Sequence, residues 1–148
     1  MTKKQQIKIR EFQIEDYDIL VDLWQKAGLP YKSKGRDSRE KMKKEMEHGC
    51  AVFLLAERSG KLVGSVLATH DGRKGWINRV AVLPEYRNQG IAALLVKEAE
   101  QRLYNFGIEI IACLIEGWNK TSMEVFPKLG YKKFEDIHYF TKRKYPGV

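Results

Sequence analysis

Cysteine is scarce in this chain: two residues in 148, Cys50 and Cys113, with no Cys-x-x-Cys spacing. That excludes a disulfide-stapled scaffold and a multi-cysteine zinc site, and both thiols, set among apolar neighbours, read as buried and reduced, with no metal. No apolar run approaches the ~20 residues that a membrane-crossing helix needs. The start, Met1-Thr2-Lys3-Lys4-Gln5-Gln6, is basic but lacks the apolar stretch of a secretory signal. Repeats, linkers and low-complexity tracts are absent, and acids are few, 19 against 27 lysines and arginines. These absences point to a single cytoplasmic domain over residues 1–148 with no membrane partner.

What is present fits one compact core. A hydrophobic share of 43% in 148 residues is globular composition, and the net charge of +8 favours anionic partners. Nucleic acid is one such partner, but no recognition helix, zinc spacing or RNA-binding signature supports it.

Residues 7–12 alternate and predict a first strand. A helix follows over 15–27, with Tyr17, Leu20, Val21 and Trp24 on one face and Gly28-Leu29-Pro30 ending it. Residues 32–48 are the most charged part, a loop leading into a short helix with Met42 and Met46 as its thin apolar stripe. Strands are predicted at 51–57 and 62–69, joined by a tight turn at 58–61. Gly64 in the second marks a bulge or close packing. Residues 71–75 turn into a central strand over 76–83. Further on, 109–115 reads as a strand, 119–129 as a short helix, and 131–135 with 138–142 as a closing hairpin. The pattern makes a mixed, mostly antiparallel α/β sheet with helices on both faces.

The stretch Val80-Ala81-Val82-Leu83-Pro84-Glu85-Tyr86-Arg87-Asn88-Gln89-Gly90-Ile91-Ala92-Ala93-Leu94-Leu95 organises the rest. It reads as a strand stopped by Pro84, a short loop, and a helix whose apolar positions Ile91, Leu95, Ala99 and Leu103 recur at helical spacing before Gly107. Amides at a helix start lack intrahelical partners and carry partial positive charge, which suits a phosphate, and Gly90 and Ala92 add little bulk. Arg87 adds a cation. The loop is neither a Walker motif nor a dinucleotide fingerprint. An ordinary strand-to-helix turn would use the same residues.

Arg87-x-x-Gly90-x-Ala92 after Val80-Ala81-Val82-x-Pro84 resembles the acetyl-CoA-binding core of the GNAT superfamily of N-acetyltransferases, Arg/Gln-x-x-Gly-x-Gly/Ala. Asn119-x-x-Ser122-x-x-Val125-Phe126-Pro127-Lys128-Leu129-Gly130-Tyr131 is similar to the family's Asn-x-x-Ala-x-x-hydrophobic-Tyr-x-Lys-x-Gly-Phe segment, and Asp71-Gly72-Arg73-Lys74-Gly75-Trp76 to a prelude in one bacterial branch. The resemblance covers nearly the whole chain. It implies a single GNAT-like α/β (α+β) domain: a sheet of six to seven strands, about four helices, and central strands that splay apart. It also implies acetyl-CoA as co-substrate, a primary amine of a small molecule or peptide as acceptor, and possible homodimers, for which composition gives no independent signal.

The implied reaction is direct attack of an amine on a thioester, with the Val80 N–H polarising the thioester carbonyl and Val82 pairing with pantetheine. The remaining implied contacts are Ala81, the loop Arg87, Asn88, Gln89, Gly90, Ile91 and Ala92, and, on the following segment, Asn119, Ser122 and Phe126. Asn119 is equally a plain helix cap. Where the family often carries a tyrosine to protonate the departing thiolate, this chain has Phe126, which has no proton to give; Tyr131, Tyr139 or a water are the substitutes. Trp76 stands where some members carry a glutamate base, which leaves Glu116, Asp71 and His70 as candidates. A lysine amine near pKa 10.4 costs roughly 4–5 kcal/mol to deprotonate at pH 7, an α-amine near 7.7–8.0 about 1 kcal/mol. A site without a strong base therefore suits a low-pKa amine. Leu29, Pro30 and Tyr31 are expected beside the acceptor. A CoA-binding module with vestigial catalysis is the alternative reading.

Overall fold

The computed structural model describes residues 6–148, and the part of the basic start at Met1-Thr2-Lys3-Lys4-Gln5 lies outside them. Among the described residues the elements run β1 (Lys8–Glu11), α1 (Tyr17–Ala27), α2 (Arg39–Glu47), β2 (Ala51–Arg58), β3 (Lys61–His70), β4 (Lys74–Val82), α3 (Ile91–Asn105), β5 (Ile110–Cys113) and α4 (Lys120–Lys128), with single 3-10 turns before α1 and after β4. None of these helices is long and apolar enough to cross a membrane.

Local chemistry sets the boundaries. α1 buries Leu20, Leu23 and Trp24 and stops at Gly28, whose φ of 73° costs a residue without a Cβ nothing. Ser38 caps α2 by accepting from the Lys41 N–H at 3.2 Å. Ser59 and Gly60, both at positive φ, make the two-residue hairpin between β2 and β3.

One sheet joins all five strands in the order β1-β2-β3-β4-β5. The first three pairings are antiparallel, and β4 with β5 is parallel. The expected sheet of six to seven strands is not formed: residues 131–135 and 138–142 carry no strand. Their alternation is real, but a strand exists only with a ladder partner, and among the described residues they have none.

Gly64 and Leu67 of β3 point to opposite faces by the two-residue period of a strand. Over Gly64 lies α3, so close that a Cβ would stand 3.1 Å from Leu95 Cδ1 and 3.1 Å from the Ala81 carbonyl oxygen. Opposite Leu67 is Arg79, whose guanidinium sits 5.3 Å from the Trp24 ring of α1. The sheet is thus covered on both faces. The expectation at Gly64 holds twice over, since the β2–β3 register also slips at Ala56/Glu57.

Candidate active site

Two features of β4 open a cleft. Its pairing with β5 covers only Lys74–Ile77, matched to Ile110–Cys113, so residues 78–82 have no neighbour on that side. At the same point Asn78 is an extra residue in the β3–β4 ladder, since Leu67 faces Arg79 but Ala68 faces Ile77. A bulge re-aims a strand, and here β4 leaves β5 at the bulge.

The backbone beyond the bulge can be followed group by group. The Leu83 N–H donates to the Val63 carbonyl at 2.9 Å, which makes the Val82–Gly64 pair a non-hydrogen-bonded one. The type alternates along an antiparallel ladder, so Ala81 exchanges bonds with Ser65, while Val80, opposite Val66, is again non-bonded. The N–H and C=O of Val80 and Val82 therefore point away from β3, towards the missing neighbour.

They meet a cleft of about 400 Å³ bounded by the end of β4, the start of α3, the end of α1 and the face of α4. Val80, Ala81 and Val82 line it, as do Arg87, Asn88, Gly90, Ile91 and Ala92, and, from the α4 side, Asn119, Ser122 and Phe126. These are the positions expected for a cofactor, with one exception. Gln89 is drawn outward, its side-chain oxygen accepting from Arg58.

Asn88 and Gly90 take φ of 62° and 80°, and Gly90 begins α3 with no side-chain cap. The loop therefore ends in open amides with no bulk in front of them. Arg87, read from sequence as a loop cation, is otherwise engaged: its guanidinium donates to the Val82 carbonyl at 3.2 Å and the Ala27 carbonyl at 2.9 Å. It fastens the end of α1 to the end of β4. Positive charge near the loop comes instead from Arg58 and Lys61, 5.7 and 5.6 Å from the Tyr86 ring. Asn119 does cap α4, accepting from the Ser122 N–H at 3.2 Å, while also facing the cleft. Phe126 is buried in the wall, edge-on to Tyr131 at 5.0 Å.

The acid and base candidates lie elsewhere. The Asp71 carboxylate closes the β3–β4 turn by accepting from Arg73 N–H at 2.9 Å and Lys74 N–H at 2.8 Å, bonds that hold it below the usual carboxylate range. It sits at the other end of β4 from Val80, roughly 20 Å along a strand rising about 3.3 Å per residue. His70 accepts from the Gly72 N–H at 3.1 Å and stacks on Phe106 at 4.7 Å. Glu116 is exposed on the loop before Asn119 and is not among the cleft residues. The Tyr131 hydroxyl donates to Glu100 at 2.7 Å, and burial with that carboxylate pushes its pKa up; Tyr139 is exposed. No carboxylate or imidazole lines the cleft among the described residues.

What sequence reading missed is the clasp behind the cleft wall. Ala27, Gly28 and Leu29 line the cleft, and the loop that follows them is tied to β4. Arg79 donates to the Pro30 carbonyl and, at 2.8 Å, to Asp37. The two side chains keep only 11% and 7% of their exposure. Asp37 also accepts from the Lys32 N–H at 2.6 Å, and its carbonyl accepts from the Tyr17 hydroxyl at 2.7 Å. Burial pulls the Arg79 guanidinium below its ordinary range and the Asp37 charge opposes this. Of the expected acceptor-side residues, Leu29 reaches the cleft, Pro30 serves the clasp, and Tyr31 packs on Trp24 at 5.7 Å. The two cysteines are half-buried and unpaired, and burial pushes the Cys113 thiol up to about 11.

A family model described as the acetyltransferase (GNAT) family matches residues 12–131. An acetyltransferase of Sodalis glossinidius (strain morsitans) is 29% identical over 139 residues, 93% of this chain and 95% of that protein. Among solved structures, the PaiA N-acetyltransferase of Thermoplasma acidophilum in complex with coenzyme A has a TM-score of 0.74 at 23% identity, covering 86% of this chain and 90% of that one. The aminoglycoside N-acetyltransferase AAC(6')-Iy in complex with CoA has a TM-score of 0.78 at 18% identity, covering 97% and 99%. The aminoglycoside 6'-N-acetyltransferase AAC(6')-Ih of Acinetobacter baumannii has a TM-score of 0.76 at 20% identity, covering 93% and 99%. At these identities the structures establish the fold.

Proposed function

The chain belongs to the acetyltransferase (GNAT) family, and from that premise we propose that it transfers an acetyl group from acetyl-CoA to a primary amine of low pKa by direct attack in a ternary complex. The observation that carries the reading is the free backbone edge at Val80 and Val82, facing a 400 Å³ cleft that the open N-terminus of α3 borders. Bound acetyl-CoA supplies an activated thioester. The chain supplies the remainder: the Val80 N–H, aimed into the cleft, polarises the carbonyl, and the Val82 N–H pairs with the pantetheine arm as a neighbouring strand would, its carbonyl being held by Arg87. The amides of Asn88 to Ala92 face the pyrophosphate, helped by Arg58 and Lys61 rather than by Arg87.

Among the described residues no carboxylate lines the cleft to take the proton, so the acceptor amine reaches the site already neutral or loses its proton to water. That supports an amine with pKa near 8 over a lysine side chain, and the aminoglycoside acetyltransferases among the structural neighbours support a small-molecule acceptor. Glu116, exposed before Asn119 and outside the cleft lining, is the candidate base to which a water passes that proton. The unpaired Cys50 and Cys113 support a reducing, cytoplasmic setting.

A second reading, a CoA-binding module without turnover, is favoured by Phe126 and the acid-free cleft. Calorimetric titration with acetyl-CoA followed by a thiol-release screen over amines separates the two. Binding with release that favours low-pKa amines at pH 7 supports the transferase. Binding without release across the screen supports the module, and no binding refutes both.

A further inference from the structure

The loop between α1 and α2 is built as one folded piece. The Lys32 carbonyl accepts from the Gly35 N–H at 2.9 Å and the Asp37 N–H at 3.0 Å, and the Asp37 carboxylate accepts from the Lys32 N–H. Arg79, one residue before Val80, fixes this piece to β4 through Asp37 and the Pro30 carbonyl. The residues that lead into it, Ala27, Gly28 and Leu29, line the cleft. The loop therefore borders the cleft from the α1 face of the sheet.

Its charge is one-sided. Residues 32–44 carry seven lysines and arginines against two acids, Asp37 and Glu40. Both acids are taken: Asp37 by Arg79 at 2.8 Å, Glu40 by Lys44 at 3.7 Å. Lys32, Lys34 and Arg36 are exposed and, among the described residues, have no carboxylate partner. Burial first, and then the charge of Arg36, lower the Arg79 pKa, so two guanidinium groups stand close together with one carboxylate between them. The cleft lining adds no acid to this balance among the described residues.

We propose that the acceptor is a small amine carrying its own anionic group, a carboxylate or a phosphate, which Lys34 and Arg36 hold beside the cleft while the amine reaches the thioester. This rests on the transferase reading above and names its substrate class. A polycationic acceptor, such as an aminoglycoside, has no free carboxylate to pair with here and meets like charge instead. An anion gains a charge-assisted bond, and the planar fork of Arg36 suits a carboxylate or a phosphate in two parallel contacts. The same surplus of positive charge disfavours an ammonium ion beside it. The loop thus eases the loss of the amine's proton to water, which the acid-free cleft does not itself promote.

The test measures thiol release at pH 7 on acceptors that differ in charge at similar amine pKa. Glycylglycine is set against glycylglycinamide, whose α-amines both fall near about 8. O-phosphoethanolamine against ethanolamine is the phosphate arm, and sisomicin is the polycation. The expected result is a kcat/KM at least about 10-fold higher on the anionic member of a pair, the scale of one hydrogen bond to a charged group, and the pair with the larger ratio names the anion. Lys34→Gln/Arg36→Gln should cut that ratio to about threefold or less, mainly through KM, with acetyl-CoA affinity by calorimetry unchanged. Arg73→Gln/Lys97→Gln removes the same charge from the β3–β4 turn and from α3, across the sheet, and should leave the ratio intact. All four side chains are exposed, so folding is not at stake. Equal rates within both pairs, a preference for sisomicin, or a ratio that the loop variant lowers no more than the distant one overturns the proposal and leaves the transferase reading standing. Release on no amine at all refutes that reading, and this assignment with it.

Discussion

Removing the Asp37 carboxylate tests whether the clasp between β4 and the cleft wall is the energetic unit its geometry describes. Asp37 and Arg79 face each other at 2.8 Å with 7% and 11% of their side-chain exposure left, and the guanidinium also lies over Trp24. An ion pair this dry is unlike one at a surface. Breaking it strands a buried cation, a change that costs about 3–5 kcal/mol where exposed pairs cost about 0–1. Asp37→Ala also removes the acceptor of the Lys32 N–H. Against a total of about 5–15 kcal/mol for a domain, and about 2–4 °C per kcal/mol at this chain length, Asp37→Ala should lower Tm by about 6–20 °C. The companion prediction separates charge from packing. Arg79→Met in the Asp37→Ala background removes the stranded cation while keeping an apolar stem on Trp24, so the double variant should regain part of the loss and the two single effects should not add. The assay is thermal and urea unfolding of the four proteins of the cycle. A cost below about 1 kcal/mol for Asp37→Ala, or strictly additive effects, would refute the reasoning and reduce the clasp to a surface contact.

Three further outcomes follow from the same structure. Gly90→Glu sets bulk and negative charge at the open amides of α3, and should weaken acetyl-CoA binding at least about 100-fold by calorimetry; a folded variant with wild-type affinity would displace the cofactor loop from its proposed place. Gly90→Ala is the control, strained by the φ of 80° but uncharged. Phe126→Tyr restores a hydroxyl to the cleft wall, and should raise thiol release by up to about 10²-fold, most at acidic pH; an unchanged rate would mean that departure of the thiolate does not wait for a proton. Burial, and then the charge of Asp37, raises the Glu45 pKa above its ordinary value. Folding therefore takes up protons there, stability from this group is full below the unfolded pKa and is lost as pH rises through the folded one, and Glu45→Gln should raise Tm at pH 7 with a gain that vanishes in acid.

The stretch from Val80 to Leu95 was legible because its signals are local: β-formers, a proline stop, a small-residue loop and a helical apolar period. The structure keeps each of them. Long-range partnerships were not legible. Asp37 and Arg79 are 42 positions apart, and nothing in either neighbourhood names the other. Arg87 reads as a spare cation until the end of α1 is seen beside it, offering the Ala27 carbonyl. Asp71 reads as an acid beside the central strand, and only the turn geometry shows both of its amide donors. The closing hairpin failed for a different reason: alternation reports that a segment suits a sheet, not that a ladder forms to hold it.

The extra residue at Asn78 turns all this into a matter of parity. Upstream of it each β3–β4 pair sums to 145 in residue number, and downstream to 146. Were the count even throughout, Val66 would face Arg79 instead of Val80, and the amides of Val80 and Val82 would turn inward to be consumed by β3. The same side chains, in the same order, would then make a sealed sheet. One residue of odd count keeps half of the central strand unclaimed.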